Sequence, residues 1–565
     1  MNIKLYIMKT RKLKLMLVLL LFSTLSWGGN GDVPSRLSKN EYGHTILKVD
    51  GVPMLMVCGE LHNSSASTPQ YMNKVLRKLT KLNLNSVLAT VAWEDIEPKE
   101  GQFDFSLVDS LMAGAYRNGL RVGILWFGSW KNGESSYAPE WVKRDTKRFQ
   151  RVISPDGKPI EILSPFCEAT MRADSKAFAA LMAHIRENDI HKTVIIAQPE
   201  NEVGIFQDMD YSKMGKDALK QQVPNALTLY LKKNEKRLKL GIAKVWRENG
   251  KKNTGTWEEV FGNGYESKAY CTVWQYASYI NHVAEAGKAE YPLPMYCNCW
   301  LVQKEEDLPG VYPNGGPVDI VMDIWKAAAP AVDFLSPDIY LPNFKSIVAD
   351  YYRYDNPLFI PEVRMNHAWA MYAFGQYGAM GFSPFGIEDR VNDKVYAGTS
   401  LVVKELAPLI TKYAGSSKMV GLLNDSNASG ERIEMGKYVL DVAYENKNEG
   451  SCYGIVIQTD DDEFIVAGAG LKITFNSSKK GIGYIMRVSE GGFEQDGTFV
   501  VSRNLNGDET NHNKYLVVKG REVDSIEQPY GTYNKIDPSF YTPTTDIKFF
   551  GPGIYKVSVY IRSEK

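Results

Sequence analysis

Two short segments of the chain place carboxylates directly after an apolar run: Pro199-Glu200-Asn201-Glu202-Val203-Gly204 and Phe359-Ile360-Pro361-Glu362-Val363-Arg364. A carboxylate is costly to bury, so its position at the end of a buried-strand pattern asks for a use. Two carboxyl groups facing one pocket suit glycoside hydrolysis, in which one protonates the leaving oxygen and the other attacks the anomeric carbon. The first must stay protonated near neutral pH and the second ionised, so their surroundings must differ. A single Glu at a strand end more often caps a helix or pairs with a lysine. Two of them at equivalent strand ends, with Asn201 before one, favour the chemical reading for Glu202 and Glu362.

These residues meet only if the fold gathers the ends of distant strands. Apolar runs at 54–60, 86–93, 121–128, 193–200, 294–300, 334–340, 357–363 and 380–386 read as strands. Amphipathic stretches separate them, such as 71–82 with Val75, Leu76, Leu79 and Leu82 on one face. Eight βα units predict an α/β fold, a (β/α)8 TIM barrel over 40–415, whose chemistry belongs at the C-terminal ends of its strands. After about residue 415 the helical period stops. Runs at 453–459, 463–470, 497–502, 513–518 and 553–562 lie between Gly, Asn and Asp clusters, which predicts an all-β sandwich domain over 416–565. Trp93, Trp126, Trp130, Trp300 and Tyr340 fall near strand ends, where an aromatic face can stack on a sugar ring. His62 reads equally as pocket lining or as a core histidine. Asp338 and Glu388, at the ends of strands six and eight, read as loop ion-pair partners, and the run 232–244 as a solvated helix face.

Composition narrows the partner. The 565 residues carry 66 basic and 66 acidic side chains with 12% aromatics, which indicates neither a nucleic-acid stripe nor a polybasic membrane patch and fits a neutral ligand such as carbohydrate better. Residues 1–28 read as a signal peptide, with Lys9, Arg11, Lys12 and Lys14 before the apolar run 15–22 and Ser26-Trp27-Gly28 at cleavage spacing. Export to the periplasm or cell surface is expected, with a retained N-terminal anchor as the alternative to cleavage and no other membrane contact. Six cysteines without a CxxC pair make no disulfide framework, and Cys297 and Cys299 read as core or pocket-lining thiols. The chain shows no HExxH, P-loop or GxGxxG, and no metal or cofactor is expected.

The motifs resemble those of clan A glycoside hydrolases, in particular the β-galactosidases of glycoside hydrolase family 35, with a family 42-like barrel as a near relative. Glu200-Asn201-Glu202-Val203-Gly204 is similar to the family's ENEYG, and Cys58-Gly59-Glu60-Leu61-His62 to its SGxxHY. Trp93, Glu97, Pro98, Gly101, Phe103 and Phe105 match its W-x-x-x-EP-x-x-G-x-(F/Y)-x-F stretch, and the resemblance runs over about 45–410. It implies Glu202 as acid/base, Glu362 as nucleophile, Asn201 on the substrate 2-OH, Glu200 orienting the sugar and Glu134 on galactose hydroxyls. Thr90 stands where many members have Tyr, and the strand-seven motif reads PEVR in place of EF or EW. The implied function is a retaining exo-β-galactosidase releasing terminal β-D-galactose from plant-polysaccharide oligosaccharides. The alternatives are a β-glucosidase, a β-L-arabinopyranosidase, an endo-acting enzyme, or a non-catalytic carbohydrate-binding barrel. Oligomeric state stays open.

Overall fold

The computed structural model describes residues 33–424, 428–446, 448, 450–479, 481–522 and 550–563. The expected signal segment 1–28 lies outside them. Eight short parallel strands alternate with helices: β1 (Met56–Val57), β2 (Ser86–Ala92), β3 (Arg121–Lys131), β4 (Val194–Asn201), β5 (Tyr296–Trp300), β6 (Phe334–Ile339), β7 (Ile360–Val363) and β8 (Gly381–Pro384). β2, β3 and β4 pair in order, and so do β5, β6, β7, β8 and β1. Parallel bridges join the two groups at both seams, Ala197 to Met295 and Glu60 to both Leu88 and Phe385. The pairings thus run in a circuit that returns to its start.

Period-two alternation sorts the side chains of these strands. Met56, Cys58, Leu88, Leu125, Phe127, Ile196, Tyr296, Phe334, Phe359 and Met380 form one buried apolar cluster with a contribution from every strand or its lead-in. Counting on by twos from this cluster reaches Glu60, Thr90, Asn298, Trp300 and Asp338. An apolar floor therefore gives way to a polar layer toward the strands' C-terminal ends.

The covering helices are α1 (Pro69–Leu79), α2 (Ser106–Arg117), α3 (Glu168–Asn188), α4 (Tyr265–Glu290), α5 (Met322–Ala328), α6 (Phe344–Tyr351), α7 (His367–Tyr377) and α8 (Lys394–Tyr413). α1 shows how the sequence writes them. Thr68 caps its first turn by accepting the Tyr71 N–H, Pro69 opens it, and Met72, Val75, Leu76 and Leu79 fill its buried face. The insertion between β4 and β5 adds short helices, and the basic run 232–244 is split by a break, with Ile242 and Ala243 buried.

Two antiparallel sheets follow. Strands β9 (Met419–Leu423), β12 (Tyr453–Asp460), β13 (Glu463–Ala469), β18 (Gly553–Arg562), β15 (Ile482–Phe493) and β16 (Phe499–Leu505) pair in that order. β10 (Gly430–Met435), β11 (Tyr438–Tyr444), β14 (Leu471–Ser477) and β17 (Leu516–Val518) make the second sheet. Leu440, Val442, Ile473 and Phe475 of one sheet and Val456, Phe464, Val466 and Val557 of the other share a buried core.

α7 lies against β9 with almost no space between them. A Cβ on Gly421 would stand 2.4 Å from the Gln376 nitrogen and 2.7 Å from the Tyr372 oxygen, both backbone atoms. Gly421→Ala is therefore expected to lower stability by about 1–3 kcal/mol, measured by urea unfolding. An unchanged midpoint would mean that helix and sheet separate at no cost.

Candidate active site

Four carboxyl groups, Glu60, Glu202, Asp338 and Glu362, are buried at the C-terminal end of the strand circuit. Register puts two of them level: Trp300 pairs with Asp338, and Asp338 with Glu362. One oxygen each of Glu202, Asp338 and Glu362 lies within 4.8 Å of the others. These oxygens are hard donors that could hold a cation. The Lys131 ammonium beside them already supplies positive charge.

The chain reaches this geometry through strained backbone. Glu200 and Glu202 adopt φ of 64° and 44°, in the left-handed region that costs a non-glycine residue about 1 kcal/mol or more. This turn sends the two side chains to different places. Glu200 accepts hydrogen bonds from the backbone N–H groups of Ser129 at 2.9 Å and Trp130 at 2.7 Å. It lies beside Asp174, which takes hydrogen bonds from the Trp126 indole, the Ser129 hydroxyl and the Tyr279 hydroxyl. Gly128 permits this approach, since a Cβ there would meet Glu200 Oε1 at 2.5 Å. Burial and the Asp174 charge hold the Glu200 carboxyl well above its ordinary range. Its bonds brace β3 against β4.

Glu202 donates its backbone N–H to Asn298 Oδ1 at 3.0 Å, and Asn298 Nδ2 donates to Asp338 Oδ2 at 2.7 Å. Burial, followed by the charge of Glu362, pushes the Glu202 carboxyl up to about 7. Burial, again with Glu362 next, holds Glu60 and Asp338 well above the carboxylate range. Tyr340 donates its hydroxyl to Glu362 Oε1 at 2.5 Å. Lys131 donates to Asn201 Oδ1 at 2.9 Å and stands 5.1 Å from the centre of the Phe127 ring. Burial alone would weaken its charge, but Glu362, Glu202, Glu60 and Asp338 together hold its pKa above the usual lysine value.

Several polar atoms in this layer are buried without a protein partner: Glu60 Oε1, Thr90 Oγ1, Asn201 Nδ2, Asp338 Oδ1 and Glu362 Oε2. Unsatisfied buried groups are costly. Donors and acceptors grouped this way match a ligand rich in hydroxyls.

The other expected site residues scatter. Trp300 stands at the rim, 36% exposed, edge-on to the exposed Phe206 at 5.9 Å. His62 is also at the surface side, its Nε2 lying 2.8 Å from Asp389 Oδ2 and its backbone N–H bound to Glu388. Glu134 is exposed on a turn that pairs with Lys131 through backbone hydrogen bonds. Trp93 and Trp130 are fully buried, with their indole N–H groups on Glu97 Oε2 and the Leu163 carbonyl. Trp130 is packed between Tyr276 and Tyr279, so neither ring offers a face to a sugar. Asp338 joins the central cluster in place of a loop ion pair. Glu60, Lys131 and Asn298 were not singled out from the sequence. All six cysteines are free and buried.

Residues 46–261 match the description "Glycosyl hydrolases family 35", and residues 401–516 match "Domain of unknown function (DUF5597)". The chain resembles the glycosyl hydrolases of family 35. Beta-galactosidase 14 of Arabidopsis thaliana is 25% identical over 225 residues, which are 38% of this chain and 23% of that protein. The chain thus spans about a quarter of the length of this curated relative. Among solved structures, the beta-galactosidase from Bacillus circulans sp. alkalophilus aligns with a TM-score of 0.42 at 13% identity, over 63% of this chain and 57% of that one. The beta-galactosidase from psychrophilic Marinomonas ef1 aligns with a TM-score of 0.41 at 11% identity, over 63% and 62%. The family 35 match contains Glu60, Lys131, Asn201 and Glu202, and ends before Asp338 and Glu362.

A carboxyl raised in the folded state makes stability fall as pH rises, because the native form binds more protons than the unfolded one. For Glu202 this window runs from its ordinary value of 4.5 to about 7. Glu202→Gln removes the ionisable group. The variant should be more stable than the parent at pH 8, by on the order of 1–3 kcal/mol, and the difference should shrink toward pH 4. Urea unfolding across pH 4–8 measures it, and equal midpoints at pH 8 would remove the case for a raised Glu202.

Proposed function

We propose that the strand circuit is a (β/α)8 catalytic barrel over 40–415 with a β-sandwich over 416–565, and that the chain is a retaining, exo-acting β-galactosidase. Its substrate is the terminal β-D-galactose of oligosaccharides derived from plant polysaccharides. One observation carries the reading: oxygens of Glu202 and Glu362 lie within 4.8 Å of each other. Measured between whole carboxyl groups, a retaining pair stands about 5–5.5 Å apart and an inverting pair roughly 6.5–9.5 Å, and so close an approach of single oxygens supports the retaining spacing. The galactose assignment leans on the family match and on the name of the Arabidopsis relative. Export rests on the sequence of residues 1–28 alone.

The geometry supports a role for each group. Tyr340 occupies Glu362 Oε1, which leaves Oε2 to attack the anomeric carbon. As that bond forms, the bond to the leaving oxygen breaks and Glu202 delivers its proton there. A water then attacks the glycosyl ester, giving its proton to the Glu202 carboxylate and releasing Glu362. A carboxyl near 7 suits both halves, since it gives a proton in the first and takes one in the second. Asn201 Nδ2, buried with no protein partner, is the donor we propose for the substrate 2-OH. A second reading, another clan A retaining glycosidase, is favoured by Thr90, whose small unpartnered hydroxyl replaces the family's Tyr.

Nitrophenyl glycosides of several sugars separate these readings, with the galactoside expected to turn over fastest. Azide assigns the roles. Glu362→Gly should be rescued by azide to give the α-glycosyl azide by direct inversion. Glu202→Ala should keep activity mainly on activated aryl glycosides and give the β-azide by interception of the intermediate. An α-azide from Glu202→Ala would reverse the assignment.

A further inference from the structure

Lys131 belongs to the polar layer, and neither carboxylate motif explains its presence. It ends β3, is buried, and points into a space bounded by Glu60 from the end of β1, Glu202 after β4, Asp338 on β6 and Glu362 on β7. Phe127 packs against it from its own strand, and the Tyr137 hydroxyl feels its charge from the loop beyond. A lysine head group in contact with carboxylates alone would be a simple ion pair. This ammonium instead donates to the neutral Asn201 amide, at 2.9 Å.

An ammonium has only donors, so the amide atom it meets must be the oxygen. That contact dictates the orientation of the whole amide. With Oδ1 held by Lys131, the NH2 group faces away from it, and Asn201 Nδ2 is indeed buried with no protein partner. Turned the other way, the amide would set N–H against N–H beside Lys131 and offer a substrate hydroxyl only an acceptor.

We propose that Lys131 is a positioning residue for glycoside hydrolysis: it locks the Asn201 amide with its NH2 toward the sugar 2-OH and supplies the counter-charge to the four buried carboxyl groups. The inference rests on the glycosidase reading above and extends it to a residue that never touches the anomeric centre. Two separable effects follow. The amide lock governs discrimination between a sugar with a 2-OH and its 2-deoxy analogue. The charge governs where Glu202 gives up its proton, because Lys131 is the cation that lowers it.

Lys131→Met and Lys131→Gln separate the two effects. Both remove the charge, so in both the alkaline limb of kcat/KM should move to higher pH. A glutamine amide can still donate to Asn201 Oδ1, whereas a thioether cannot. Lys131→Met should therefore also lose at least about tenfold of the preference for an aryl galactoside over its 2-deoxy analogue, as Asn201→Ala should, while Lys131→Gln should keep most of it. Asn201→Ala should leave the limb in place. A folded Lys131→Gln whose limb stays at the parent pH overturns the charge role, and should Lys131→Met not fold, this variant alone decides it. A Lys131→Met enzyme with full 2-OH discrimination overturns the lock. A parent protein that turns over no aryl glycoside overturns the glycosidase reading, and this inference with it, which is distinct from a parent that is active and variants that are unchanged.

Discussion

Four carboxyl groups sharing one buried space is the constraint around which this molecule is arranged. An ionised carboxylate taken out of water alone costs several kcal/mol, and four mutually repelling ones could not be kept there. The structure answers in three ways. Glu60 and Asp338 are pushed toward the neutral form by burial and by Glu362. Lys131 brings an ammonium within reach of the group. Asn298 and Tyr340 spend their donors on Asp338 and Glu362. Strand register must then hold to the residue, because a slip of one would turn each acid to the outer face. The bridges of Glu60 to Leu88 and Phe385, and the pairing of Trp300, Asp338 and Glu362, are what maintain it.

The strand circuit was legible because its strands are buried on both sides and read as unbroken apolar runs. Each expected run overlaps an observed strand within a few residues. Glu202 and Glu362 stood out for the same reason, as charges ending such runs. Glu60 ended one too, yet CGELH invites attention to its histidine. The parity of Met56, Cys58 and Glu60 along one face was the signal that went unused. Lys131 was hidden because β3 runs to residue 131, past the end of its apolar pattern, where a lysine normally marks solvent. Trp93 and Trp130 misled for a converse reason: an aromatic at a strand end has the same sequence signature whether its indole N–H meets a protein acceptor or a ligand. In the C-terminal sheets β9 went unread because its short apolar run follows a helix directly, and β10, β11, β14 and β15 went unread as well. Their patterns are interrupted by charged residues on an exposed face, as in Gly430–Met435, with its exposed Arg432 and Glu434.

The C-terminal sheets also bear on the site. α7 begins at His367, five positions after Glu362, and packs along β9 and β12. His367 lies edge-on to Tyr453 of β12 at 5.0 Å, and burial lowers its pKa to about 4. Burial thus favours its neutral form, and the ring serves as packing. Gly375 and Gly421 bring the helix and the sheet into backbone contact. A helix that follows β7 in the chain and is packed on its far side against a second core has little freedom to shift, and the strand that carries Glu362 is tied to it.

In the proposed reaction, stability and chemistry pull against each other at Glu202. A general acid near 7 needs a dry surrounding and a neighbouring negative charge, and both conditions penalise the ionised form that must appear once in every turnover. Lys131 moderates this penalty without abolishing it. Placed against the carboxylate of Glu202 itself, an ammonium would pull the acid back toward an ordinary pKa and remove its proton at neutral pH. Placed on Asn201, one residue away, it acts through space as the smaller influence, behind burial and Glu362. The charge is close enough to make the acidic cluster tolerable and far enough to leave its acid protonated. Diverting that ammonium to a neutral amide lets one lysine act on all four carboxyl groups while leaving Glu202, the proposed proton donor, raised.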